Sequence, residues 1–206
     1  MRNTVTVTNG RTTREAILAA ALADFATFGY RRTSIESIAR RADVSRATVY
    51  LHYRGKEDIF CAVVSTLHDE HLAAMRAAAE DPDIDIHTRL IRLLQARFQR
   101  FVELMASSNN AAELYDVHNK TCGDITEEAT RRADKIFAAA LRRAVAAGDI
   151  DLTRSGLTIS QLAGVLTDCA SGAKGENPAA IPTTEFTARL TRSVRAILSG
   201  VGSRGA

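Results

Sequence analysis

The sequence predicts an all-α chain of about nine helices, and three observations predict it. Only three prolines, at positions 82, 178 and 182, interrupt 206 residues. Apolar residues return every three or four positions in one segment after another, which is the period of a single helix face. No stretch shows the sustained apolar–polar alternation of a half-buried strand. Hydrophobic residues make up 46% of the chain and aromatics 5%, with no Trp. That composition supplies a folded core and argues against disorder.

Taken in order, residues 1–10, MRNTVTVTNG, read as a flexible polar arm. A helix is expected from about Thr12 to Phe28, because Ile17, Ala21, Phe25 and Phe28 fall on one face. Gly29 is its natural stop, since glycine readily takes the left-handed backbone that ends helices. Thr33-Ser34-Ile35-Glu36 has the spacing of a capping box, so a second helix is expected to open at Thr33. Ile35, Ile38, Ala39 and Ala42 supply its buried side. Asp43 sits at a turn, and Ser45 caps a third helix that runs to His52. Gly55 precedes a fourth helix, from about 56 to 79, whose Glu57 and Asp58 complement the helix dipole. Residues 80–86, with Pro82, are a break. Over 87–106, Leu90, Leu94, Phe98, Phe101 and Met105 form one face. A short helix follows at 109–119. Over 124–147, Ile125, Ala129, Ile136, Ala140 and Ala144 mark a face beside Phe137, Leu141 and Val145, and Gly148 is the stop. Residues 155–171 are apolar almost all round. After a loop at 173–182, the helix 184–199 carries Phe186, Leu190, Val194 and Ile197 on one face.

Two short helices joined by a tight turn make a helix-turn-helix, whose second helix lies in the DNA major groove. Charge agrees with that reading. Residues 1–60 hold ten Arg/Lys against six Asp/Glu, whereas 61–206 hold seventeen against eighteen. The basic part coincides with the motif, as binding to phosphate requires. Thr33 and Ser34 open the second helix, where hydroxyls and free N–H groups cap the helix or hold a phosphate. Ser45, Arg46, Ala47 and Thr48 lead into the groove. The two-pronged Arg46 suits a guanine edge or a phosphate, and Thr48 a thymine methyl or a phosphate. Tyr50 and His52 are expected at phosphates, and Tyr53 in the core. A cation at Lys56 opposes its helix dipole by about 0.3–1 kcal/mol, and a phosphate contact is a reason to keep it there.

The stretch from Thr33 to Phe60 resembles the helix-turn-helix of the tetracycline-repressor (TetR) family. The matching positions are Thr33, Ser34, Ile38, Ala39, Ala42, Val44, Ser45, Thr48, Tyr50, His52, Lys56 and Glu57. Ile17, Phe25 and Gly29 match the family's first helix, so the resemblance covers about residues 12–62. Asp43 stands where the family usually has Gly, and Tyr53 where it has Phe. Asp tolerates left-handed geometry better than most residues, so the turn is expected to survive. The resemblance implies a three-helix DNA-binding domain over 11–55 and a helical effector-binding and dimerisation domain over 56–206. It implies a homodimer on a pseudo-palindromic operator, joined by a four-helix bundle, and a repressor released by a small molecule.

The residues themselves point to 155–171 and 184–199 for the dimer interface, since a helix that is apolar all round must be covered on both sides. Phe98, Phe101, Met105, Leu114, Tyr115, Phe137 and Leu166 are candidates to line an effector pocket, with Asn110, Glu113, His118, Asn119, Cys122 and Cys169 as its polar groups. The competing reading of those apolar side chains is plain core. Three cysteines without a CxxC suggest neither a disulfide framework nor a zinc site. No metal or cofactor is expected. His68-Asp69-Glu70-His71 reads as a solvated helix face. His118 with Cys122 is the one pair that could serve a nucleophile, but no orienting third group accompanies it, so an enzyme or ligand carrier is the lesser alternative. Redox sensing at Cys122 or Cys169, or constitutive DNA binding, is another. No apolar run approaches the ~18 residues of a membrane span and no signal-peptide core is present, so a reduced cytoplasm is expected.

Overall fold

The computed structural model of the chain describes residues 12–153, 155–175 and 181–201; the expected arm at 1–10 lies outside them. They form nine helices: α1 (Thr13–Arg32), α2 (Ile35–Arg41), α3 (Arg46–His52), α4 (Lys56–Glu80), α5 (Ile86–Ser107), α6 (Ala111–Thr121), α7 (Gly123–Ala147), α8 (Ile159–Ala173) and α9 (Thr183–Val201). The all-α expectation holds.

The chain divides into two compact units. One comprises residues up to Leu67 together with Ser107–Thr126, and the other His68–Ala106 with the chain from Glu127 onward. This division differs in two respects from the boundary expected between 55 and 56. It falls within α4, and α6 belongs with the first unit. The reason is visible at the start of α6. Ser108 Oγ donates to Ala26 O at 2.9 Å, Asn110 Nδ2 donates to Thr27 O at 3.1 Å, and Glu113 Oε1 accepts from the Arg31 N–H at 2.8 Å. Leu114, Val117 and Cys122 then enter the same apolar core as Ile17, Phe25, Ile38 and Val49.

In this first unit, α1 opens on a capping box, in which Thr12 Oγ1 accepts from the Glu15 N–H and Glu15 accepts from the Thr12 N–H. Its regular part stops where expected. Gly29 has φ 79° and ψ 170°, and the last residues of α1 follow this break. Phe25, Tyr30 and Phe60 meet as an aromatic cluster, with centroids 5.2 to 5.8 Å apart; each such pair adds about 0.5–1.5 kcal/mol beyond area burial. Asp24 is buried in α1 and takes the Arg41 guanidinium of α2 on Oδ1, while its Oδ2 has no partner. A charge pair one side of which is buried fixes how α2 lies on α1.

The second unit has its own core, built from Leu72 and Met75 of α4, Leu90, Leu93, Leu94 and Val102 of α5, and Ala129, Ala133, Phe137 and Leu141 of α7. Leu162 and Leu166 of α8, with Phe186, Leu190 and Val194 of α9, complete it. Three sequence expectations are adjusted here. Helix α8 begins at Ile159, not 155, because Thr158 caps it with Gln161 as the reciprocal partner. On α5 the fully buried face runs through Leu93 and Val102. Phe98 and Phe101 lie half-buried at its edge, with the Lys174 ammonium 4.8 and 5.4 Å from their ring centroids. On α9, Leu198 is buried and Ile197 only half so.

His71 of α4 meets the His68 ring edge-on at 5.1 Å. Desolvation first, then the positive charges of His68, Arg97 and Arg132, hold its pKa down to about 4, against a smaller opposing pull from Asp69.

Two outcomes are expected. Gly29 lies in a backbone region that is essentially glycine-only, and a Cβ there would overlap Glu113 Oε2. Gly29→Ala should lower stability by about 1–3 kcal/mol in urea titration. His71 stays neutral in the fold at pH values where the unfolded chain, with an ordinary imidazole near 6.5, takes up a proton. The unfolded state therefore binds more protons between about pH 6.5 and 4, and stability falls as pH falls through that window. His71→Gln should flatten the decline in melting temperature over the same range; an unchanged slope would assign the acid sensitivity to other groups.

Candidate nucleic-acid interface

The turn between α2 and α3 is the part on which the candidate interface depends. After Arg41 the chain leaves the helix through Ala42, and Asp43 takes φ 54°. The Val44 N–H donates to Ala39 O at 3.0 Å and the Asp43 N–H to Arg40 O at 3.3 Å. This is the Schellman pair of bonds, with aspartate in the left-handed position that glycine usually occupies. The turn therefore forms as expected despite the departure at Asp43. Ser45 then caps α3, its Oγ accepting from the Thr48 N–H at 3.0 Å and meeting Thr48 Oγ1 at 2.8 Å.

Seven residues do not hold a helix by themselves. Helix α3 is held by Val49, fully buried, and by Tyr53 just beyond its end. The Tyr53 hydroxyl accepts from Arg14 Nε of α1 at 3.2 Å. Burial raises the pKa of that phenol, so it remains a neutral packing group, as expected. With Val49 inward, Arg46, Ala47, Tyr50 and His52 are exposed, and Thr48 is half-buried. Arg46, Ala47 and Tyr50 share a face at i, i+1 and i+4. Leu51 was not among the expected contacts, yet it is the most exposed large apolar residue here, at 83%, beside Tyr50 at 51%. Its placement was readable in the sequence: two positions from Val49 is about 200° around a helix, so an inward Val49 puts Leu51 outward. Arg40 and Arg54 are further exposed cations of this segment.

Two sequence-assigned residues, Thr33 and Lys56, have other work. Thr33 is 2% exposed, and its hydroxyl donates to Gly29 O at 2.7 Å. The expected capping box is consequently displaced by one residue: Ser34 caps α2, accepting from the Ser37 N–H at 3.0 Å, while Ser37 Oγ accepts from the Ser34 N–H at 3.2 Å. Ser34 remains exposed, at the mouth of α2. The Lys56 ammonium is also placed differently from the expectation. Its Nζ donates to Tyr30 O at 2.8 Å, Thr33 O at 3.0 Å and Arg31 O at 3.3 Å, and sits 4.4 Å from the Tyr30 ring centroid. Three carbonyls use its three protons. The carbonyl end of α1 thus supplies a reason for a cation at that position. Burial pulls its pKa down, opposed by the Glu113 carboxylate.

The residues expected to line an effector pocket do not come together in one unit. Leu114, Tyr115, His118, Asn119 and Cys122 are in the first, and Phe98, Phe101, Phe137, Leu166 and Cys169 in the second; the Met105 side chain lies outside the described residues. Phe137, Leu166 and Cys122 are buried in the cores, as close packing of large apolar side chains favours. Tyr115 and His118 do stack, with centroids 6.5 Å apart. His118 Nε2 meets Thr126 Oγ1 at 2.9 Å and its Nδ1 meets Asn119 Oδ1 at 3.3 Å. The second unit has an open groove of about 260 Å³ lined by Glu70, His71, Gln95, Gln99, Arg100 and Glu103 among others. Among the described residues, no three His, Cys, Asp or Glu side chains gather as metal ligands, and no helix is long and apolar enough to cross a membrane.

Comparison with known proteins places this geometry. Residues 17–63 match the profile described as bacterial regulatory proteins, tetR family. The chain is 31% identical over 83 residues to YhgD of Bacillus subtilis, an HTH-type transcriptional regulator, a match spanning 40% of this chain and 43% of that one. It is 26% identical over 157 residues to the HTH-type transcriptional regulator TtgR of Pseudomonas putida, spanning 71% and 74%. In fold it resembles SmeT, the repressor of a Stenotrophomonas maltophilia multidrug efflux pump, solved in complex with triclosan: TM-score 0.68 at 21% identity, over 94% of this chain and 93% of that one.

Replacing Lys56 with Met should lower stability by on the order of 1–2 kcal/mol, the scale of lost charge-assisted hydrogen bonds at a half-buried site. The slope of duplex affinity against salt should stay unchanged. A slope reduced by about one phosphate contact would return Lys56 to the DNA interface.

Proposed function

We propose that this chain, whose residues 17–63 match the tetR family of bacterial regulatory proteins, is a cytoplasmic, dimeric transcriptional repressor that leaves its operator when an effector binds. The observation that carries the DNA-binding part is α3. Its inner face is fixed by Val49 and Tyr53, and its outer face presents Arg46, Ala47, Tyr50, Leu51 and His52. Such a helix in the major groove reads base edges through Arg46 and thymine methyls through Ala47 and Leu51, while Ser34, Tyr50 and His52 meet phosphates.

One module makes few contacts, so affinity and register come from two copies on half-sites about 34–36 Å apart. Helices α8 and α9 are the proposed interface. They pack together through Leu162, Leu166, Phe186 and Leu190, while Gly164 and Val165 of α8 face outward, Val165 at 39% exposure. A small residue beside an exposed apolar one lets a second helix approach closely. The structural neighbour SmeT, solved in complex with triclosan, supports a small-molecule effector. In this chain the half-buried Phe98 and Phe101 of the second unit are the proposed aromatic part of its site. The reading assigns no catalysis to His118 or Cys122.

Selection of bound duplexes from a randomised pool, followed by anisotropy titration, tests it. The intact protein should enrich a pseudo-palindrome. Arg46→Ala should weaken binding by about 1–3 kcal/mol per contact and relax preference at one base pair of each half-site. An intact protein with no salt-dependent affinity for any duplex would overturn the assignment.

A further inference from the structure

Two of the three cysteines face each other in the first unit, and nothing in the DNA-binding reading uses them. Cys61 lies on α4, half-buried, and Cys122 caps the C-terminus of α6 at the step into α7, fully buried. They are 61 positions apart in the chain, yet their sulfurs stand 2.9 Å apart. Both are oriented by the same residue: Cys61 Sγ donates to Thr121 O at 3.4 Å, and Thr121 Oγ1 lies 3.4 Å from Cys122 Sγ. A disulfide needs a separation of about 2.05 Å, so closure requires an approach of roughly 0.9 Å along an existing contact. Cys169 is on α8 in the second unit.

We propose that Cys61 and Cys122 form a reversible dithiol–disulfide pair closed by hydroperoxides, and that the regulator senses such oxidants through it; the second clause rests on the DNA-binding reading above. The atoms balance in two steps. The Cys61 thiolate attacks one oxygen of ROOH, the O–O bond breaks, and the departing RO⁻ takes a proton to become ROH, leaving Cys61 as a sulfenic acid. The Cys122 sulfur then attacks the Cys61 sulfur, the S–O bond breaks, and the hydroxyl leaves with the Cys122 proton as water. Two thiols and one ROOH become a disulfide, ROH and H2O; the thiols lose two electrons and the peroxide gains them. The order of the roles follows from the surroundings. Burial first, then the adjacent Cys61, pushes the Cys122 thiol up to about 12, so it stays protonated and does not compete for the oxidant; its sulfur, 2.9 Å from Cys61, is placed for the second step and gives up its proton as the hydroxyl departs. Cys61 is the more exposed sulfur and meets the oxidant.

Closure ties α4 to the junction of α6 and α7. Lys56 of α4 and Glu113 of α6 are also the side chains that hold the end of α1. The bond therefore acts on the helices that frame the helix-turn-helix.

The test uses the full-length reduced protein treated with hydrogen peroxide, blocked with iodoacetamide and mapped by mass spectrometry. The expected map shows a Cys61–Cys122 cross-link within one chain, an alkylated Cys169, and recovery of all thiols with dithiothreitol. Cys61→Ser and Cys122→Ala should each abolish the cross-link while keeping the helical circular-dichroism signal. Three alkylated cysteines after peroxide, or a bridge through Cys169 or between chains, would overturn the pair. On a duplex that the reduced protein binds, the oxidised protein should bind about fivefold more weakly or worse, and Cys122→Ala should be indifferent to peroxide. Equal affinity of the two forms would overturn the sensing role. A reduced protein that binds no duplex would instead defeat the DNA-binding reading, with the thiol map still deciding the pair.

Discussion

The carbonyl end of α1 is where the first unit is tied together, and the tie is electrostatic. Gly29 turns the backbone out of its helical path and leaves the carbonyls of Tyr30, Arg31 and Thr33 facing the Lys56 ammonium. The opposite charge is used on the same turn, where Glu113 accepts the Arg31 N–H. Lys56 begins α4 and Glu113 lies in the first turn of α6. Two helices distant in sequence are thus positioned by one turn of backbone. Buried or half-buried carbonyls without partners cost free energy, so this arrangement is close to obligatory once the chain takes the Gly29 path.

The candidate DNA-reading surface depends on that frame, because α3 has little stability of its own. Seven residues give too few internal hydrogen bonds to offset nucleation. Val49 and Tyr53 fasten its inner side, the Asp43 turn sets its direction from α2, and the Arg41–Asp24 pair seats α2 on α1. Given these anchors, the outward residues are free of structural duty. That separation allows the outward positions to change without loss of fold.

The second unit is built differently. Its α7 buries alanines at 129, 133, 140 and 144 around Phe137 and Leu141, which brings neighbouring backbones close and leaves the larger side chains of α5, α8 and α9 to fill the space. Its polar features lie at the edge of that core: the low-pKa His71 beside Arg97 and Arg132, and Lys174 over Phe98 and Phe101. The oxidisable pair belongs to the other unit, inside the core that backs the helix-turn-helix.

Sequence by itself determined the helices, nearly to their ends, and the helix-turn-helix with its outward Arg46, Tyr50 and His52. These are local properties: the period of apolar residues, the residue types at caps, and the tolerance of Asp43 for a left-handed turn are all written in neighbouring positions. Tertiary structure decided what depends on meetings between distant segments. It moved the Lys56 ammonium from a phosphate to the carbonyls of α1, turned the Thr33 hydroxyl back onto Gly29, and gave α6 to the first unit. It divided the residues expected to share one effector pocket between two units, because helical spacing gives a side chain's face but not which other face it meets. It also brought together Cys61 and Cys122, which sequence analysis had no means to pair. A donor's protons go to whichever acceptors the fold brings within about 3 Å, and across 25 or 61 residues that proximity is a property of packing, not of pattern.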